Sequence, residues 1–82
     1  MDDTNYRNAA QQRVLLTLAF LAQRPEGALP GEIAQSLGTL PSNTTRDLAN
    51  LRLVGWAVAR DGRWSCSPHF IDLMRPHDRT GT

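Results

Sequence analysis

Seven side chains have the type and spacing to make directional hydrogen bonds to base edges or phosphates. Ser42, Asn43, Thr45, Arg46 and Asn50 fall in one stretch, and Arg60 and Arg63 follow it. A guanidinium can pair bidentately with guanine or phosphate, and an asparagine amide offers adenine a donor and an acceptor together. Within the stretch, Thr44, Leu48, Leu51 and Gly55 recur at helical spacing on one side, and Asn43, Arg46, Asp47 and Asn50 on another. The spacing predicts a helix over Asn43–Val54, with Ser42 or Asn43 as N-cap and Gly55 ending it. Such a helix can read a major groove with its polar face, while Arg60 and Arg63 reach backbone or minor groove. The bland alternative is a solvated helix face and an ordinary hairpin tip. Asp47 favours that alternative, because a carboxylate repels phosphate unless it accepts from cytosine or orients Arg46.

Other chemistry has less behind it. Cys66 and His69 have the spacing of a nucleophile and base or of half a metal site, but two ligands do not close a zinc site. Glu26 and Glu32 lie in a turn and a first helical turn with no histidine near either, so no acid–base dyad forms from them. Trp56 and Trp64 read as core before they read as base-stacking platforms, and His77 needs no role. No catalytic residue, metal or cofactor is expected.

The elements that must hold these residues are readable in turn. Asn8-Ala9-Ala10-Gln11 has the form of a capping box and opens a first helix to about Arg24, stopped by Pro25 and Gly27. Val14, Leu15, Leu18, Leu21 and Ala22 gather on one arc as its core face. Leu16 and Phe20 fall nearly opposite, either as a dimer contact or covered by a C-terminal segment. A short extended piece leads through Pro30 to a second helix over Gly31–Leu37, with Ile33, Ala34 and Leu37 inward and Gly38 as its stop. After Gly55, Trp56–Arg60 and Arg63–Ser67 are strand-like runs around Asp61-Gly62, the dipeptide suited to a two-residue type I′ turn. Trp56 and Val58 of one strand, with Trp64 and Cys66 of the other, are expected to face the helices. Pro68–Arg75 can make a short helix offering Phe70, Leu73 and Met74. Residues 1–7 and 76–82 are expected to be a flexible arm and a disordered tail around one domain over 8–75.

Eighty-two residues suit a single small domain with a modest core. No apolar run approaches the ~20 residues that span a bilayer, and Asp2 and Asp3 stand where a signal peptide would be basic. With Cys66 as the lone cysteine, a cytoplasmic setting is expected. A net charge of +1 is neutral on nucleic acid, although all nine basic residues are arginine.

Helix, extended piece, helix, turn, helix and hairpin is the order of a winged helix-turn-helix, mainly α with a small β-hairpin. In this setting the chain resembles the DNA-binding domain of IclR-type transcriptional regulators over about Asn8 to Pro68. The matching residues are Arg13-Val14-Leu15-Leu16 with Leu18 and Leu21, Pro25-Glu26-Gly27, Glu32-Ile33-Ala34 through Leu37-Gly38, and Ser42 through Leu51. Gly55-Trp56-Ala57-Val58, Asp61-Gly62-Arg63-Trp64 and Ser67-Pro68 continue the match through the wing. Pro30-Gly31 replaces the family's usual serine or threonine cap, and Asp47 stands at a position more often apolar. The resemblance implies a homodimeric double-stranded DNA-binding regulator, without the family's small-molecule effector domain. The rival expectation is a winged-helix module that binds protein, such as an accessory or inhibitory factor of a mobile element or phage. It is motivated by the near-neutral charge, Asp47 and the Leu16/Phe20 patch.

Overall fold

The structure, a computed structural model, describes residues 8–76; the arm expected over 1–7 and, beyond Pro76, the expected tail lie outside them. Six elements follow in order: α1 (Ala9–Ala22), α2 (Pro30–Leu37), α3 (Pro41–Leu53), β1 (Ala57–Arg60), β2 (Arg63–Cys66) and α4 (Pro68–Met74). The chain is mainly helical with a two-stranded antiparallel hairpin, in the winged-helix arrangement. Among the described residues no helix is long and apolar enough to cross a membrane.

Two copies of one device start the middle helices. Gly27-Ala28-Leu29-Pro30 and Gly38-Thr39-Leu40-Pro41 each place an extended leucine (φ −80, ψ 147 and φ −77, ψ 144) before a proline at the first helical position. Proline's preset φ suits that position and its missing N–H is no loss there. The third helix therefore begins at Pro41, ahead of the expected start. Neither Ser42 nor Asn43 is its N-cap, since both lie inside the first turn and Leu40 is the capping residue. Glu32 supports the start of α2 by accepting the Leu29 N–H at 2.8 Å, the helix-end role open to a first-turn carboxylate. At the start of α1 the Asn8 side chain accepts from the Gln11 N–H at 3.1 Å, as the capping pattern predicts. Gly55 and Trp56 close α3 by donating to the Arg52 and Leu51 carbonyls at 2.9 Å each, a Schellman ending.

The core joins Leu21, Ala28, Ile33, Leu48, Leu51, Ala57, Cys66 and Phe70, with Val14, Leu18, Phe20, Leu37, Trp56 and Trp64 packed at its edge. Two expected core residues of α1 are elsewhere: Leu15 is 63% exposed and Ala22 is exposed. Thr17 holds the centre of the buried face instead, which its hydroxyl tolerates by donating to the Arg13 carbonyl at 2.9 Å within the helix. Phe20 is half-buried against the core and Leu16 is exposed. The C-terminal helix borders a recess on a different side of α1, with Phe70, Ile71 and Met74 beside Leu21, Ala22 and Pro25. Only Phe70 of α4 is buried, its ring 5.0 Å from that of Trp56; Leu73 and Met74, expected as covering residues, are exposed.

In the wing, Asp61 and Gly62 take φ values of 53 and 81, both positive as a type I′ turn requires. That turn sets the register: Ala57 faces Cys66, Val58 faces Ser65 and Ala59 faces Trp64. The inward face of β1 is therefore carried by Ala57, while Val58 is 40% exposed and Trp56 precedes the strand. Val58, expected on the inner face, is one residue out of phase with Ala57, whereas Trp56 packs at the edge of the core. The extended piece before α2 also joins the sheet, because Ala28 and Trp64 exchange both backbone hydrogen bonds at 2.8 Å.

Candidate nucleic-acid interface

Four positions of α3 point inward and are buried: Thr44, Asp47, Leu48 and Leu51. The crest opposite them carries Ser42, Arg46, Ala49 and Leu53, all exposed. Thr45 is exposed on one flank. Asn43 and Asn50, two turns apart, share the other flank, and the Asn43 amide donates to Thr39 Oγ1 at 3.0 Å. Ser42 and Arg46 thus sit together where a groove would meet the helix, whereas Asn43 is committed to the preceding turn.

Asp47 is the largest departure from expectation. Its carboxylate belongs to the buried side, 2% exposed, and Arg13 of α1 grips it with Nε 2.7 Å from Oδ2 and Nη2 3.2 Å from Oδ1. The hydrogen bond to Asp47 raises the Arg13 pKa from its ordinary value; burial opposes the rise and the charge of Asp47 adds to it. A bidentate guanidinium satisfies both carboxylate oxygens, so the negative charge is spent inside the domain. The exposed charges of α3 are then Arg46 and Arg52. Arg52 was no part of the expected site. Its Cζ lies 5.3 Å from the ring centroid of Trp64, between α3 and the wing.

Arg60 and Arg63 pair across the hairpin beside the exposed Asp61. Arg60 extends at the tip. The stem of Arg63 runs along Gly27, where any side chain would start 3.1 Å from Arg63 Cβ, and its Nη1 lies 3.5 Å from the Gly27 carbonyl and 3.9 Å from Glu32 Oε1. Both partners of that ion pair are about half exposed, 50% and 54%, so its hold on Arg63 is weak.

The remaining reactive side chains stand apart. Cys66 is buried, which pushes its thiol pKa up, and His69 is exposed in the first turn of α4. Among the described residues no group of three or more histidine, cysteine or acidic side chains converges to hold a metal. No protein-family model matches the chain, and no curated protein matches its sequence.

Proposed function

We propose that the protein is a small cytoplasmic, sequence-specific double-stranded DNA-binding regulator of IclR-like type, acting as a homodimer. The crest of α3 reads the major groove through Ser42 and Arg46, with Thr45 and Asn50 on its flanks and Asn43 beside the turn. The wing arginines Arg60 and Arg63 hold backbone or minor groove. The burial of Asp47 against Arg13 carries this reading, since it removes the one acidic group that would oppose phosphate at the helix. Leu16, 55% exposed on α1, supplies the contact between copies, with the half-buried Phe20 behind it.

Gel shift or fluorescence anisotropy with duplex DNA over about 50 to 200 mM salt tests it, and affinity should fall steeply as salt rises. No binding at the low-salt end, or binding indifferent to salt, overturns it. The dimer is checked by size-exclusion chromatography of Leu16→Glu, a surface change, in place of the partly packed Phe20.

One observation favours a second reading, a winged-helix module that binds protein. Leu53 on the crest is 83% exposed, with Val54 at 60% and Leu40 at 66% near the two ends of the helix. Apolar side chains so placed suit a protein surface better than a phosphate backbone. A stable protein complex lost in Leu53→Glu, together with no DNA affinity at low salt, selects this alternative.

A further inference from the structure

Arg52 occupies the junction of α3 and the wing. It lies in the last turn of α3, exposed, with its guanidinium over the half-buried ring of Trp64 in β2. Arg13, Arg63 and Arg75 each have a carboxylate within 4.0 Å; among the described residues Arg52 has none. A guanidinium that gives its face to the π system keeps its N–H edge free in its own plane. That edge geometry is the one that pairs with phosphate oxygens. Thr45, seven residues before Arg52, shares this flank of α3, which borders the crest that carries Ser42 and Arg46.

A purely structural account of Arg52 is available: a cation in the last turn of a helix interacts favourably with the C-terminal end of the dipole. It explains the sign of the charge. It does not explain the seat on a wing residue, which ties the reading helix to the hairpin, and it makes no use of the unpaired edge.

We infer that Arg52 is a phosphate-binding residue, held edge-outward by Trp64 at the junction of α3 and the wing. Together with Arg46 and Arg60 it gives the interface three cations with no carboxylate of the described residues within 4.0 Å. The inference rests on the DNA-binding reading, and the following measurement separates the failure of one from the failure of the other.

Anisotropy titrations use a fluorescent mixed-sequence duplex of about 30 base pairs, long enough for two half-sites a helical turn apart, at several salt concentrations. Wild type, Arg52→Ala, Arg52→Lys and Arg75→Ala are compared, the last removing an equal charge from the end of α4. Each phosphate contact contributes about 0.9 to the slope of log affinity against log salt. Arg52→Ala removes one contact from each copy of the dimer, so it should lose about 0.9 of slope per bound copy, about 1.8 for the dimer, and bind at least about tenfold more weakly at the low-salt end. Arg52→Lys should keep the slope, and Arg75→Ala should match wild type. Wild-type binding with an unchanged slope in Arg52→Ala, or equal losses in Arg52→Ala and Arg75→Ala, overturns the inference and leaves the DNA-binding reading standing. Absence of wild-type binding at low salt overturns both.

Discussion

Arg13 on α1 and Asp47 on α3 form a bidentate pair 34 positions apart in sequence, with the carboxylate 2% exposed and the guanidinium side chain 20% exposed. The exposure is unequal, so removing one partner does not cost the same as removing the other. Arg13→Ala leaves a carboxylate buried without a counter-charge, whereas Asp47→Asn leaves an arginine that reaches water and still has an amide oxygen to donate to. Arg13→Ala should therefore lower the melting temperature by roughly 5 °C or more, and Asp47→Asn by clearly less. Replacing both, as Arg13→Met with Asp47→Leu, should recover most of the loss, because no buried charge then remains unpaired. Thermal melts of the four proteins test this; equal losses in the two single variants, with no recovery in the double replacement, would show that the pair is not acting as a unit.

Asp47 also shows why part of the site was hidden in the sequence. On a helical wheel it is one step from Leu48 and three from Thr44, at the border of the buried stripe, and an acidic side chain at a border is ordinarily assigned to water. Only the crossing of α1 over α3 brings Arg13 to it, and no local pattern encodes that crossing. The start of α3 was legible by contrast, since Gly38-Thr39-Leu40-Pro41 repeats Gly27-Ala28-Leu29-Pro30; the polar Ser42 and Asn43 drew the boundary inward. The wing register was encoded in the turn, although the expectation set Val58 on the wrong face. Once Asp61-Gly62 is a two-residue turn, Ala57 must oppose Cys66, and the apolar character of Val58 cannot move it to that face. The order of elements followed from periodicity and turn residues, which are local; Thr17 at the core and Arg52 over Trp64 follow from packing, which is not.

Two threonines, both fully buried, make opposite predictions. Thr17 Oγ1 donates to the Arg13 carbonyl at 2.9 Å, while Thr44 Oγ1 has no hydrogen-bond partner among the described residues. Valine keeps the branched shape and drops the hydroxyl. Thr44→Val should stabilise the domain by about 1 kcal/mol, relieving a desolvated group that gains nothing in return. Thr17→Val should lose about 1 kcal/mol of hydrogen bonding. Urea titrations read both directly, and a loss of stability in Thr44→Val would mean that its hydroxyl has a role the fold does not explain.

Cys66 gives stability a pH dependence of definite sign. Burial raises its pKa in the folded state, so the native chain keeps the thiol proton at a pH where the unfolded chain has released it. The contribution is flat below the unfolded thiol value of about 8.5 and is lost as pH rises through it towards the higher folded value. Wild type should therefore lose more of its melting temperature than Cys66→Ala does between about pH 7 and pH 9.5. Parallel losses in the two proteins would show that the thiol does not titrate differently on folding.

Arg46 and Arg60 should separate sequence reading from backbone holding. Arg46 lies on the crest of α3 beside Ser42, where a guanidinium can meet a guanine edge, whereas Arg60 stands at the wing tip next to Asp61. A lost base contact is felt only on the sequences that supplied it, at about 1–3 kcal/mol. A lost phosphate contact is felt on all sequences alike and lowers the salt slope by about 0.9. Selection of binding sites from a random duplex pool with wild type should yield a preferred motif. Arg46→Ala should relax one position of that motif, and Arg60→Ala should return the same motif with uniformly weaker binding. If Arg60→Ala alters the motif while Arg46→Ala leaves it intact, the roles are reversed, and the wing in place of the α3 crest is the reading element.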